Sequence, residues 1–182
     1  MHTVGRLTRT LALTLSVVLT GALGGVQLAS AASISEVTAS YNGGTIDLSQ
    51  GWGTATVCAV TETGTHCFAT QSDYQVWLTT QSDLSGLLPA GSGNCSTGLE
   101  LFQNISYGGT ELVIYVKSIW LNLSTYSFSD ALSSYKVGAC SISMTDAPNG
   151  GGNVYPGATS AGSDVSWIGT AWNDRVQSVY IY

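Results

Sequence analysis

The sequence contains few positive charges. Its 182 residues include five Lys and Arg against eleven Asp and Glu, for a formal net charge of −6. A surface with so little positive charge cannot neutralise a phosphate backbone, so we expect no binding to nucleic acids. Binding to anionic membrane surfaces is disfavoured for the same reason.

The chain also lacks the signatures of common hydrolases. His66 is the only histidine after the first 31 residues, and no GxSxG, HExxH or catalytic-cysteine motif accompanies it. A histidine beside a strand turn is more often a surface residue than a general base. Nothing among the eleven acidic residues singles out one pair that could cleave a glycosidic bond. We therefore predict that the protein is not an enzyme.

Long apolar runs are absent after residue 31, so no later segment is predicted to span a bilayer. The first 31 residues have the layout of a secretory signal peptide. Arg6 and Arg9 precede an apolar run over 11–26, and Ala29-Ser-Ala31 resembles a cleavage site. We expect cleavage after Ala31 and a secreted, extracellular protein. The 151 residues from 32 to 182 suffice for one ordinary domain, and their three basic residues leave a formal charge of −8 against the eleven acidic ones.

All four cysteines follow the predicted signal peptide, in a compartment that permits disulfides. They are Cys58, Cys67, Cys95 and Cys140. Four cysteines allow three pairings. Their spacing contains no CxxC, so the sequence does not predict a zinc site.

A β-hairpin is predicted around the first two cysteines. The segments TATVCAV (54–60) and THCFAT (65–70) are rich in β-branched residues, and they flank a turn that ends at Gly64. Folding the hairpin about Glu62–Thr63 places Cys58 opposite Cys67. We therefore favour a Cys58–Cys67 disulfide across the two strands.

One short helix is predicted next. Thr70-Gln-Ser-Asp73 is a capping-box pattern, and apolar and polar residues follow it at helical spacing. These residues are Tyr74, Trp77, Leu78 and Gln81. They predict a helix over about 71–82, and the Gly- and Pro-containing stretch 89–94 is predicted to be a linker.

After Cys95 the sequence pattern changes to short β-rich runs separated by turn-forming residues. Short β-rich runs at 99–102, 111–116, 133–137 and 178–182 are separated by Gly, Asn, Ser and Asp, which indicates an all-β sandwich. Residues 99–138 and 140–182 form two similar units. Each unit is too small to bury its own apolar face, so we expect the two to share one core.

Each unit contains an early corner and a late motif. The corners are Phe102-QNIS-Tyr107-Gly-Gly109 and Met144-TDAP-Asn149-Gly-Gly151. The late motifs are Ser129-Asp130-Ala-Leu-Ser133-Ser134, approached through Trp120-Leu-Asn-Leu-Ser124, and Asn173-Asp174-Arg-Val-Gln177-Ser178. With these motifs residues 99–182 resemble a βγ-crystallin domain, which consists of two Greek keys packed as a sandwich.

The resemblance implies a mainly β fold, a two-Greek-key βγ-crystallin-like sandwich preceded by a small hairpin-plus-helix segment. We divide the chain into a signal peptide (1–31), an N-terminal segment with its linker (32–93) and the sandwich (94–182), with keys at 99–138 and 140–182. Cys95 and Cys140 each precede the first strand of their own key. A Cys95–Cys140 disulfide would tie the keys at equivalent ends.

The resemblance also implies local roles in the two motifs. Gly109 and Gly151 are expected to take positive φ in folded corners. The small hydroxyl residues of the late motifs are expected to hydrogen-bond across the corners. Leu132 and Val176 are expected to point into the core.

In microbial βγ-crystallins the late motifs resemble paired calcium sites, because calcium prefers hard oxygen ligands. Carried over by position, the ligands here are Asp130 and Ser133 from the first motif, with Asn173 and Asp174 from the second. We expect weak, structural calcium binding. Two positions depart from the pattern, Ser129 and Gln177, so we expect one site to be weak or lost, and Arg175 adds a positive charge nearby. In the alternative interpretation these residues only brace the sandwich.

The five tryptophans suggest a second alternative, a carbohydrate-binding module. Trp120 and Trp172 precede the late motifs where the family has core aromatics, and Trp77 lies on the predicted helix with Tyr74. Trp52 and Trp167 remain as candidates for a sugar-stacking surface.

Secreted bacterial metalloproteinase inhibitors share this sandwich, an export signal and four cysteines, and residues 95–182 are similar to such peptidase inhibitors. The resemblance implies a monomeric inhibitor of an extracellular metallopeptidase that blocks the cleft with a preorganised loop. Our candidate loop is Thr61, Glu62, Thr63, Gly64 and Thr65. The alternative is a calcium-binding structural or surface-binding module without inhibitory activity, in which the Cys58–Cys67 disulfide only stabilises the hairpin.

Overall fold

The computed structural model describes residues 37–80 and 97–182, and the structural statements below concern these residues. The predicted signal peptide, the predicted linker at 89–94 and Cys95 lie outside them. In the described ranges, no helix is long and apolar enough to cross a membrane.

The described residues form eleven strands and one α-helix, with four short 3-10 turns. The strands are β1 (Thr38–Tyr41), β2 (Gly44–Asp47), β3 (Val57–Thr61), β4 (Gly64–Phe68), β5 (Leu99–Asn104), β6 (Gly108–Ile114), β7 (Trp120–Asn122), β8 (Ser134–Lys136), β9 (Ile142–Thr145), β10 (Asp164–Val165) and β11 (Ser178–Ile181). The helix α1 spans Gln71–Thr80, and the 3-10 turns span Leu48–Gln50, Ile105–Tyr107, Leu123–Tyr126 and Pro148–Gly150. The predicted mainly β fold is confirmed.

The strands form two sheets, and each key contributes one strand to the sheet that consists otherwise of strands outside that key. The larger sheet has the order β10-β8-β5-β6-β3-β4-β1-β2, and the smaller has the order β7-β11-β9. β10 belongs to the second key but pairs with β8 of the first, and β7 belongs to the first key but pairs with β11 of the second. This exchange gives the predicted sandwich of two Greek keys.

The N-terminal hairpin has the predicted register. Cys58 of β3 lies opposite Cys67 of β4, and the two form a disulfide with their Cα atoms 4.1 Å apart. β3 also pairs with β6 in parallel, so the hairpin extends the larger sheet. All five residues of β3 are buried, because an interior strand covered on both faces has no solvent-facing side.

The predicted capping box starts the helix. The Asp73 N–H donates to Thr70 Oγ1 (3.1 Å), and the Thr70 N–H donates to Asp73 Oδ2 (3.1 Å). Tyr74 and Trp77 then pack against Phe68 of the hairpin, with ring centroids 5.6 and 5.4 Å apart. The predicted helix residues 81–82 lie outside the described part of the chain.

The main core lies between the two sheets. Leu132 and Val176, both predicted to point inward, are fully buried there. The N-terminal segment contributes Leu48 and Trp52 to the same core. Trp52 Nε1 donates to the carbonyl of Tyr126 at 2.6 Å, so this segment is joined to the first key by buried contacts.

Candidate cation site at the paired late motifs

The last serine of each late motif holds the corner of its own key. Ser134 Oγ donates to the carbonyl of Asn104 (2.6 Å) and accepts the N–H of Tyr107 (3.0 Å). The second key repeats this arrangement. Ser178 Oγ donates to the carbonyl of Ala147 (2.7 Å) and accepts the N–H of Gly150 (3.0 Å). The predicted hydrogen bonds across the corners are therefore confirmed for these two serines.

The sequence comparison of the two corners matched Asn149 to Tyr107 and Gly151 to Gly109, and the structure shifts this match by one residue. Gly109 has φ +79° as predicted, but Gly151 has φ −78°, so the prediction for Gly151 is wrong. The matching positive φ in the second key belongs to Gly152, at +72°. The serine contacts show the same shift, since Gly150 and not Asn149 takes the place of Tyr107. Gly152 is therefore the structural counterpart of Gly109.

The second corner has Gly150 where the first corner has the aromatic Tyr107, and an aromatic ring from the first key fills the space there. A Cβ built on Gly150 would lie 2.3 Å from Cε2 of Trp120, because the indole ring occupies that space. Trp120 lies on β7, the strand that the first key places in the smaller sheet. The absent side chain at Gly150 thus makes room for an aromatic ring supplied by strand exchange.

The two late motifs meet in a reciprocal arrangement. The Asp130 N–H donates to the carbonyl of Val176 at 3.1 Å, and the Asp174 N–H donates to the carbonyl of Leu132, also at 3.1 Å. Both aspartates have φ +55°, a left-handed conformation that Asp adopts more readily than most residues. The backbone therefore places each aspartate beside the motif of the opposite key.

One predicted carboxylate contacts a residue of the other motif. Gln177 Nε2 donates to Asp130 Oδ1 and Oδ2 at 3.2 and 3.4 Å. Gln177 follows Val176, whose carbonyl accepts from Asp130. By the same exchange, Ser133 follows Leu132, whose carbonyl accepts from Asp174. The first candidate pair is Asp130 with Gln177, and the second is Asp174 with Ser133.

The second pair differs in its surroundings. Ser133 is buried, at 6 % exposure, whereas Asp174 is exposed. The Asn173 amide donates to Asp174 Oδ2 at 2.7 Å, so this predicted ligand contacts the carboxylate of its own motif. Our prediction named Asp130 and Ser133 together, but the reciprocal crossing places each of them beside a residue of the second motif.

Arg175 is bound by groups other than the two aspartates of the motifs. Its guanidinium contacts Asp146 Oδ2 at 2.8 Å and the carbonyl of Ala171 at 2.9 Å, and it lies 5.7 Å from the ring centroid of Trp172. Hydrogen bonds from Asn153 lower the pKa of Asp146, and Arg175 adds to this effect. The positive charge that we expected to oppose a cation is thus partly neutralised by Asp146.

The donor chemistry of the two pairs fits calcium with modest affinity. Each pair offers one carboxylate and one neutral side-chain oxygen, and calcium binds such hard oxygens in flexible geometry. Across residues 37–80 and 97–182, no group of three or more His, Cys, Asp and Glu could hold a metal. Gln177 presents its NH2 group to Asp130, and a half-turn of the amide would present its oxygen instead. A single carboxylate in each pair limits the attraction for a divalent ion.

The candidate inhibitory loop is a tight turn. Thr61 pairs with Gly64, so only Glu62 and Thr63 connect the strands. Thr61 Oγ1 donates to the carbonyl of Gly64 (2.8 Å) and accepts the N–H of Thr63 (3.3 Å). Thr61 and Thr65 are buried, which leaves three exposed residues at the tip of a braced hairpin.

The other residues considered from sequence have structural contacts. We considered Trp52 a candidate for a sugar-stacking surface, but it is 8 % exposed and stacks on Phe128 at 5.8 Å, so this interpretation is wrong for Trp52. Trp167 is 55 % exposed. His66 Nδ1 lies 2.8 Å from Ser40 Oγ, its ring centroid is 5.2 Å from that of Trp77, and burial lowers its pKa.

The second predicted disulfide stays a prediction. Cys140 is disulfide-bonded. Its predicted partner, Cys95, lies outside the described residues.

Comparisons with known proteins identify similar solved structures. No protein-family model matches the chain, and no curated protein matches it. A βγ-crystallin domain from Clostridium beijerinckii is 26% identical, with a TM-score of 0.40, over 47% of this chain and 97% of that domain. A βγ-crystallin from Ciona intestinalis is 22% identical, with a TM-score of 0.38, over 46% of this chain and 98% of that one. A domain from Flavobacterium johnsoniae is also 22% identical, with a TM-score of 0.38 and coverage of 46% and 92%.

Proposed function

We propose that this protein is a secreted, non-enzymatic calcium-binding module in which the bound ion joins the two Greek keys. The contact between Gln177 and Asp130 across the motif boundary carries this proposal. A calcium ion at this contact would take ligands from both keys at once. Asp174 and Ser133, with Asn173 beside them, provide the equivalent second position.

Calcium at these positions would act on stability rather than on chemistry. A ligand that binds only the folded state adds about 2.7 kcal/mol to the free energy of unfolding at 100 times its dissociation constant. With one carboxylate in each pair, we expect dissociation constants of about 10⁻⁴–10⁻³ M, as in extracellular calcium modules. The ion would therefore strengthen the junction of the keys in calcium-rich surroundings.

Thermal melting with calcium and with chelator tests the proposal. We expect calcium to raise the melting temperature, and Asp130→Asn and Asp174→Asn to reduce the increase because each variant removes one carboxylate. Asp164→Asn is the matched control, since Asp164 is exposed on β10 and the change in charge is the same. An unchanged melting temperature of the unmodified protein at saturating calcium would contradict the proposal.

Inhibition of a metallopeptidase is the second candidate function. The observation that favours it is the exposed tip at Glu62, Thr63 and Gly64 on a hairpin fixed by the Cys58–Cys67 disulfide and by an interior strand. A rigid tip loses little conformational entropy on entering a cleft. Three exposed residues would fill few subsites, so we expect weaker inhibition than from a long extended loop.

Titration against a thermolysin-type protease tests this second candidate. We expect Glu62→Ala/Thr63→Ala to abolish inhibition. Asn42→Gly alters the turn between β1 and β2, which the parallel pairing of β1 with β4 places at the other end of β4 from the hairpin tip, and it should leave inhibition intact. Lack of inhibition at micromolar excess would rule out this class of target.

A further inference from the structure

A polar pocket of about 290 Å³ lies on the larger sheet beside α1. It is separate from the late motifs, and its wall includes residues from β3, β5, β6 and β8 and the first residue of α1. The residues that matter for its chemistry are Gln71, Glu100, Phe102, Tyr107, Glu111 and Lys136. The proposed function uses none of them.

Strand register brings three charged side chains to one face of the sheet. Glu100 pairs with Lys136, and Phe102, two residues further along β5, pairs with Glu111. Paired residues share a face, and so do residues two apart on a strand. Lys136 Nζ forms an ion pair with Glu100 Oε2 at 3.2 Å. The three groups together have a formal charge of −1, since two are carboxylates and one is an ammonium.

One carboxylate oxygen of Glu111, in the wall of this pocket, accepts no hydrogen bond from the part of the chain that the structure describes. The residue is 5 % exposed, and among the described residues its Oε1 has no hydrogen-bond partner. Gln71 donates a hydrogen bond to the carboxyl group of Glu111. This bond and the charge of Lys136 both favour the ionised carboxylate. A buried carboxylate oxygen without a partner is costly, so such an atom in a pocket indicates a missing donor.

The surroundings of Glu111 select the kind of donor. An anion would face two carboxylates, and an apolar ligand would leave the charged groups without solvation. A sugar would need a flat ring, but Phe102 is buried and meets Tyr107 edge to face at 69°. The same two rings already accept a cation, because Lys136 Nζ lies 5.4 and 5.0 Å from their centroids.

We propose that this pocket binds a primary ammonium group on a short alkyl chain, with Glu111 as its main acceptor and Glu100 as the second. Such a cation supplies the hydrogen-bond donor that Glu111 Oε1 lacks, and it neutralises the remaining charge of the pocket. The chemistry is shared by a free alkylamine and by a lysine side chain of a peptide.

Binding requires the charged form of Glu111, so it should depend on pH. Burial and the charge of Glu100 raise the pKa of Glu111 to about 7, while Lys136 and the hydrogen bond from Gln71 act in the opposite direction. Tyr74 of α1 and Tyr115 after β6 also act on this region, and burial raises the pKa of both, so they stay uncharged near neutral pH. Affinity for an ammonium ion should therefore increase from pH 6 to pH 8.

Titration calorimetry with n-butylammonium chloride at pH 8 tests the proposal, with butan-1-ol as the uncharged probe of the same length. We expect binding of the amine and at least about tenfold weaker binding of the alcohol, equivalent to about 1.4 kcal/mol. Equal binding of the two probes, or no binding of the amine, would overturn the proposal. Nα-acetyl-lysine methylamide serves as the second amine. Binding of either amine supports the site, and the stronger of the two identifies the source.

Three variants test the assignment of residues. Glu111→Gln should weaken binding of n-butylammonium about tenfold, whereas Lys136→Gln should strengthen it, because the variant leaves a second carboxylate unpaired. Glu62→Gln, at the exposed hairpin tip, is the control with the same loss of charge and should bind as the unmodified protein does. If Glu111→Gln does not fold, Glu100→Gln replaces it with the same expected direction. Unchanged affinity in folded Glu111→Gln, or in Glu100→Gln where it takes its place, would overturn the assignment.

Discussion

Gln177 Nε2 donates to both carboxylate oxygens of Asp130, although the two residues belong to different Greek keys. In this contact the amide nitrogen faces the carboxylate, so the amide must turn over before its oxygen and Asp130 can bind a cation together, as we propose. The contact also places an amide where the βγ-crystallin motif that this segment resembles has a small hydroxyl. Under the proposed function, Gln177 is the position at which a substitution should change calcium affinity most directly.

Gln177→Ser should strengthen calcium binding. The change removes the donor that competes for Asp130 and restores a hydroxyl oxygen, so we expect the calcium dissociation constant to fall severalfold in titration calorimetry. Gln103→Ser is the matched control, because Gln103 is exposed and accepts a hydrogen bond from Thr110 on the neighbouring strand. Equal or weaker calcium binding by Gln177→Ser would contradict this prediction and would show that the amide oxygen is at least as good a ligand as a hydroxyl.

Ser134→Ala and Ser178→Ala should each destabilise the fold by about 1–3 kcal/mol, because the fully buried hydroxyl no longer bonds the partly buried carbonyl and N–H of its corner. Ser178 should cost more, since its hydroxyl also lies 2.7 Å from that of Thr145. Urea denaturation measures both effects. Ser72→Ala, on the exposed surface of α1, should leave the unfolding midpoint almost unchanged. Equal midpoints for all three variants would contradict the role of the corner serines.

Gly150→Ala should be more destabilising than Gly162→Ala. Both glycines have nearly the same positive φ, +75° and +74°, so both substitutions introduce similar backbone strain, about 1–2 kcal/mol. Only Gly150 has the Trp120 ring in the path of a Cβ, whereas Gly162 faces open space. The difference between the two melting temperatures therefore isolates the steric cost, about 1–3 kcal/mol. Similar values for the two variants would show that Trp120 moves aside freely.

The stability of the protein should fall as pH rises from about 4.5 to 7. The pKa of Glu111 is raised from its ordinary 4.5 to about 7 in the folded state, so in this interval the folded state binds more protons than the unfolded state. The expected loss of unfolding free energy is on the order of 2 kcal/mol. Denaturant titrations at several pH values measure it. Glu111→Gln should remove this slope, whereas Glu62→Gln should retain it.

The local parts of this fold were predictable because their signals are local. The turn at Glu62–Thr63 determined which cysteines face each other, and the capping box located the start of α1. Leu132 and Val176 were predicted from the motif repeat, because inward residues between polar positions keep the same spacing in both keys.

The remaining features depend on contacts between distant segments. The parallel pairing of β3 with β6 leaves no pattern in either strand that identifies its partner. The aromatic of the second corner comes from Trp120, so an alignment that placed Asn149 at the aromatic position was shifted by one residue. Glu111 reads as an ordinary strand residue, and its burial follows only from the neighbouring strands and α1.

The pairing of β3 with β6 has a consequence for self-association. Without the N-terminal hairpin, β6 would end the larger sheet and expose a seven-residue row of backbone donors and acceptors. Such a row is a template on which another polypeptide can add a strand. The hairpin and the β1–β2 pair that follows it in the sheet move the open end to β2, which has four residues, none of them fully buried. We therefore expect loss of the disulfide-linked hairpin to increase self-association of the chain through the edge of this sheet.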